Sequence, residues 1–144
     1  LGAEKVINYK REDFHSAVLK YTKKYGVDLI LDMVGGDYFE KNIDLLTEEG
    51  RLVMIAFLKG NKVTLDLSQI MLKRILLTGS TLRPRSDIFK SEIASQLKNQ
   101  VWPLLENRKI KLYLDNTYEF KNFREAHKRM EESNHIGKII LSLD

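Results

Sequence analysis

Residues 26–42 read GVDLILDMVGGDYFEKN, and this stretch decides the fold. Val27, Leu29, Ile30, Leu31 and Met33 form a short, nearly continuous apolar run, as in a parallel strand buried on both faces. Gly35 and Gly36 then permit a tight turn with backbone angles that other residues avoid. Asp37 and Glu40 have the spacing of a helix N-cap and its reciprocal partner. Strand, glycine turn and helix in this order form half of a βαβ unit. In open α/β sheets ligands bind at the carboxyl ends of such strands. Met33–Gly36 is therefore the first place to look for a bound cofactor.

Working outward, the same rhythm recurs. Lys5–Tyr9, KVINY, reads as a short strand, and Asp13–Tyr25 as a helix with Phe14, Ala17, Val18 and Tyr21 on one face. The helix after the glycine turn presents Tyr38, Phe39, Ile43, Leu45 and Leu46 and stops at Gly50. Arg51–Leu58 is the next strand, a short helix follows near Ser68–Lys73, and Ile75–Ser80 is another strand. Strands alternating with helices at this interval indicate a doubly wound parallel sheet. Beyond Thr81 the rhythm changes. Ser86 can cap a long helix with Ile88, Phe89, Ile93, Leu97, Val101, Leu104 and Leu105 facing inward, broken just before Pro103. Lys111–Phe120 reads as a strand, Asn122 and Glu125 as a capping pair, and Gly137–Leu143 as a closing strand.

The 144 residues suffice for one domain with a real core. Net charge is +4 and the pI about 9.2, but basic and acidic residues are interleaved, which argues against nucleic-acid binding. The chain has no cysteine, which removes disulfides, thiolate catalysis and cysteine-based zinc sites and fits a cytoplasmic protein. No apolar run reaches membrane-spanning length, and LGAEKV is no signal peptide. Leu1-Gly2-Ala3 resembles the end of a helix whose body is missing, so a piece of a longer protein is expected.

Direct signs of chemistry are few. There is no G-x-G-x-x-G and no P-loop. Gly35-Gly36 serves either a tight turn or close approach of a ligand. Asp32 is either a hydrogen-bond acceptor at a strand end or a catalytic acid. His15, His127 and His135 lack metal-ligand spacing, and no base near Ser80-Thr81 suggests a triad. Arg83 and Arg85 could take a phosphate or an acidic partner, or simply be solvated.

VINYKREDF, VDLILDMVGGDYFEKN, GRLVMIAFLKG, LKRILLTGSTLRPRS, VWPLLENRKIK and EAHKRMEESNHIGKIIL, in this order, resemble the C-terminal half of the zeta-crystallin-like quinone oxidoreductase family. That family is a zinc-free branch of the medium-chain dehydrogenase/reductases. The resemblance covers essentially the whole chain. It implies a partial Rossmann sheet, lacking its first two strands, with a C-terminal helix-and-strand segment across residues 1–144. The parent would be an NADPH-dependent reductase of quinones or activated alkenes whose N-terminal catalytic domain lies outside this chain. By the same resemblance Tyr9 lies against the adenosine 2′-phosphate, although a strand-end aromatic would explain it equally. Met33, Val34 and Gly35 border the cofactor ribose, Ala56, Phe57 and Leu58 lie near the nicotinamide, and His135 reaches the cofactor from its loop. The family joins its sheets through the strand matching Ile75–Ser80, which implies a homodimer. No catalytic or metal-ligating residue is carried over.

Two functions remain open: a fragment of a nicotinamide-dependent reductase, weak in cofactor binding without its glycine-rich turn, or a non-catalytic assembly module. In the Rossmann order 3-2-1-4-5-6, Lys5–Tyr9 is orphaned, and the expectation is that it pairs directly with Val27–Met33.

Overall fold

The computed structural model describes residues 2–143. It divides into two compact units, Gly2–Ser86 and residues 87–143. The first is built on three parallel strands, β1 (Val27–Asp32), β2 (Leu46–Met54) and β3 (Leu76–Gly79), in the spatial order β1-β2-β3. Helices α2 (Tyr38–Leu45) and α3 (Leu67–Lys73) make the crossovers, and α1 (Phe14–Tyr21) precedes β1. Parallel strands joined by helices are what the alternation of elements implies.

The core lies between the sheet and its two crossover helices. Phe39 and Ile43 of α2 meet Leu46, Leu52 and Ile75, with Ile30, Met54, Ile70 and Leu77 packed around them. Side chains alternate across a strand. Ile30 and Asp32 therefore face the helices, while Leu29 and Leu31 face the other way and are 63% and 64% exposed. Burial of this strand on both faces, expected from its apolar run, is not what the chain provides. Among the described residues no second layer covers that face.

Lys5–Tyr9 is not a strand. The reason is local: the Asn8 side chain accepts a hydrogen bond from the Lys10 amide, and its carbonyl takes those of Arg11 and Glu12. A turn held by Asn8 competes with any ladder. Val6 is left exposed, and among the described residues no strand pairs with the outer edge of β1. The expected four-stranded core is a three-stranded one.

The passage from α2 to β2 also differs. The helix ends at Leu45, the strand begins at Leu46, and Val27 pairs with Leu46. The next partner of β1 is Leu29 against Arg51, so residues 47–50 bulge out of the ladder. Glu48 and Glu49 on this bulge pair with Arg74, the left-handed C-cap of α3. Below it, the Lys73 ammonium donates to the carbonyls of Ile43, Asp44 and Leu46 at 3.2, 2.8 and 3.0 Å. These carbonyls are the unpaired acceptors at the end of α2, and a cation is favoured there.

In the second unit α4 (Asp87–Gln100) ends just before α5 (Trp102–Glu106), with Pro103 in the first turn of α5. The break falls where proline requires it. The face read as inward on α4 is largely open: Ile88 is 75% exposed, and the helix has no buried residue. β4 (Leu114–Glu119) and β5 (Lys138–Ser142) pair in parallel, connected through α6 (Phe123–Glu131). Asn122 makes no side-chain cap to α6. Arg129 of α6 instead grips Asp115 of β4 through two hydrogen bonds of 3.0 and 2.9 Å, and Asp115 also accepts the Ile136 amide. The guanidinium and that amide hold the Asp115 carboxyl down at about 2.

Candidate functional site

The carboxyl ends of β1 and β2 meet in one continuous structure. Asp32, 5% exposed, turns its carboxylate back on its own chain and accepts the amides of Val34 at 2.7 Å and Gly35 at 3.2 Å. It is the strand-end acceptor, fixing the start of the glycine turn.

Backbone pairing continues past the strands. The amides of Ile55, Leu58 and Lys59 donate to the carbonyls of Asp32, Met33 and Val34 at 2.8, 3.2 and 2.8 Å, and Gly36 donates to Gly60 at 3.0 Å. Gly35 and Gly36 have φ of 64° and 56°, where a side chain is strained. A Cβ on Gly35 would stand 2.6 Å from the Gly60 carbonyl oxygen, and one on Gly36 2.7 Å from that of Lys59. The backbone that approaches the glycines closely is thus the chain's own. Asp37 has helical angles and makes no cap bond; its carboxylate faces the Lys59 ammonium at 3.4 Å, and that ammonium lies over the Tyr38 ring.

The fold therefore brings together six of the residues singled out in the sequence. Met33, Val34 and Gly35 lie beside Ala56, Phe57 and Leu58 on the sheet's carboxyl edge. Met33, Phe57 and Leu58 are exposed, at 51%, 49% and 72%, so the rim of this edge is apolar and open. Behind it Gly35, Phe39, Met54, Phe57 and Val63 help to line a cavity of about 140 Å³. A polar hollow of about 480 Å³ beside α2 carries Asp37, Glu40, Lys59 and Lys62.

Tyr9 lies elsewhere in the same unit, exposed on the Asn8 turn. His135 belongs to the second unit, on the loop after α6, with a buried Nδ1 that lacks a hydrogen-bond partner among the described residues. His127 stands edge-on to Phe123, and Arg85 donates to the Thr81 carbonyl. Among the described residues no three His, Asp or Glu side chains gather as a metal site, and no helix is long and apolar enough to cross a membrane. The sequence marks Lys59–Lys62 as a polar turn, but that Lys59 and Gly60 close on the glycine turn is a contact it does not disclose.

Comparison with known proteins agrees with this geometry. Residues 1–141 match the family model described as zinc-binding dehydrogenase. Quinone oxidoreductase-like protein 2 of Bos taurus is 27% identical over 146 residues, covering 99% of this chain and 40% of that protein. A zinc-type alcohol dehydrogenase-like protein of Schizosaccharomyces pombe is 28% identical over 145 residues, again covering 40% of its length. The crystal structure of Escherichia coli quinone oxidoreductase complexed with NADPH aligns with a TM-score of 0.80 at 25% identity, over 97% of this chain and 43% of that one. The chain spans 40% of the length of each of these two curated relatives.

Proposed function

Because this chain belongs to the zinc-binding dehydrogenase family, we propose that it is the C-terminal portion of an NADPH-dependent quinone or alkene oxidoreductase and supplies part of the cofactor site. The observation that carries this reading is the open apolar rim made by Met33, Phe57 and Leu58 at the carboxyl ends of parallel strands.

The fit to a nicotinamide cofactor is of a particular kind. The backbone carbonyls of Met33 and Val34 are already taken by Leu58 and Lys59, so contact falls to side chains on the rim. Bound NADPH would supply a hydride to the substrate. The chain's part is to hold the ring and its ribose: Met33, Val34 and Gly35 on one side, Ala56, Phe57 and Leu58 on the other. Asp32 fixes the first of these loops through the amides of Val34 and Gly35, and the amides of Leu58 and Lys59 tie the second loop to it. Tyr9 would take the 2′-phosphate, and His135 is the further residue proposed to contact the cofactor. The free outer edge of β1, with Leu29 and Leu31 exposed, is where the remaining strands of the parent sheet would add.

The sequence has no glycine-rich turn to give the pyrophosphate a helix N-terminus and backbone donors. NADPH is therefore expected to bind this chain with a Kd of about 1 mM or weaker. Nuclear magnetic resonance titration reads both affinity and place. Shifts clustered on residues 33–35 and 56–58 support the reading; shifts that avoid both loops reject it.

Assembly follows the same reading. β3 is the other edge of the sheet, with Leu76 about half exposed, and a two-fold axis perpendicular to it would pair two copies antiparallel into a homodimer. Sedimentation should show a dimer at micromolar concentration that Leu76→Lys dissociates. A wild-type monomer would remove this part of the proposal.

A further inference from the structure

Residues 132–137 join α6 to β5 and carry His135. The ladder beside them is irregular: Leu114 pairs with Lys138 and Asn116 with Ile139, so Asp115 stands out of it as a bulge. Bulges re-aim side chains, and this one turns a carboxylate, 11% exposed, onto the loop. Asp115 Oδ1 accepts the Ile136 amide at 3.1 Å and a hydrogen bond from Arg129 Nη2 at 2.9 Å. The same Nη2 donates to the Asn134 carbonyl at 3.2 Å, while Arg129 Nε donates to Asp115 Oδ2 at 3.0 Å. One ion pair thus fixes the residues on both sides of His135.

Apolar packing does not hold this loop, since Ile136 is 78% exposed. The clasp does, and with its carboxyl kept at about 2 by Arg129 and the Ile136 amide it does not come and go with pH near neutrality. His135 is itself partly buried, and its Nδ1 is buried with no hydrogen-bond partner among the described residues. A buried polar atom left so costs free energy unless a further group serves it. The loop therefore carries a side chain whose hydrogen bonding the described residues do not complete, on a backbone that they hold tightly.

We propose that Asp115 and Arg129 are positioning residues: their clasp fixes the orientation in which His135 meets the nicotinamide cofactor. This rests on the cofactor reading above and adds two residues to it. Neither needs to touch the cofactor; both act through the loop. A planar guanidinium suits the task, because its fork binds both carboxylate oxygens and keeps a hydrogen for the Asn134 carbonyl. A lysine in its place keeps the charge and loses the fork. An imidazole already held spends less entropy on contact than one that must first be ordered.

Nuclear magnetic resonance titration of the whole chain with NADPH tests this, read together at the His135 ring and at residues 33–35 and 56–58. His135→Gln assigns the ring signal among the three histidines. In Arg129→Lys the NADPH-induced shift of that ring should fall about threefold, the bias of one partly exposed charged contact, while the two loops respond as in the wild type. Asp115→Asn, which keeps the shape and an acceptor for the Ile136 amide, should do the same, and Arg124→Lys on the same helix should change nothing. An undiminished ring response in both clasp variants overturns the proposal. So does a loss spread equally over the ring and both loops, which marks damage to the fold. If NADPH shifts residues 33–35 and 56–58 but never the His135 ring, the role of the clasp is rejected and the cofactor reading stands. Shifts that avoid both loops reject the two together.

Discussion

Gly26→Ala is expected to destabilise the Gly2–Ser86 unit by about 3 kcal/mol or more, a large share of the stability of a small domain. Two effects act together. Gly26 has φ of 92°, a backbone conformation that costs another residue about 1–3 kcal/mol. A Cβ built there would also stand 2.4 Å from the carbonyl oxygen of Leu45, the last residue of α2. That oxygen belongs to backbone, so it cannot swing away as a side-chain tip could, and the helix end would have to shift. Urea unfolding reads the effect as a lower midpoint at unchanged slope. Gly60→Ala is the control, because Gly60 has φ of 112° but nothing within 4 Å of the added carbon. It carries the strain without the clash. If the two variants lose the same stability, the contact with Leu45 contributes nothing.

Lys73→Met should cost about 2 kcal/mol although it keeps most of the side chain's apolar stem. Three carbonyls, those of Ile43, Asp44 and Leu46, lose their shared donor in one step, two of them partly buried. An unsatisfied buried acceptor costs about 1–3 kcal/mol, and the cation's favourable interaction with the helix end is lost as well. Water can reach the Asp44 carbonyl, which keeps the loss below the sum of three. Thermal unfolding against a surface control such as Lys98→Met provides the measurement. A loss under about 0.5 kcal/mol would show that solvent satisfies all three groups.

Both substitutions act where α2 passes into β2, and this junction was the least legible part of the sequence. Thr47-Glu48-Glu49 reads as the end of a helix running to Gly50, because polar helix formers ahead of a glycine look that way. The bulge depends on partners far along the chain, Arg74 and Lys73, which no local pattern discloses. Lys5–Tyr9 was misread for the opposite reason: its β-branched pair drew attention, while Asn8, a turn former, decided the outcome. The readable parts were those with period and punctuation. Val27–Asp32, the α3 helix and the break before Pro103 all follow from apolar runs, caps and proline chemistry. On the candidate site, the gathering of Met33–Gly35 with Ala56–Leu58 was legible because consecutive parallel strands must end side by side. The closing of Lys59 and Gly60 on the two glycines was not, since it is a contact across the turn.

The spatial order of β1, β2 and β3 is also their order along the chain, and each is joined to the next by one helix. No strand of this unit waits for a distant segment before it can pair. Each loop that must close is of similar, modest length, so the entropy spent on closure is spread evenly instead of falling on one late event. Emerging from a ribosome, β2 can dock on β1 once α2 is out, and β3 can then extend the ladder. The topology thus permits assembly in the direction of synthesis, each strand adding to the edge left by the one before.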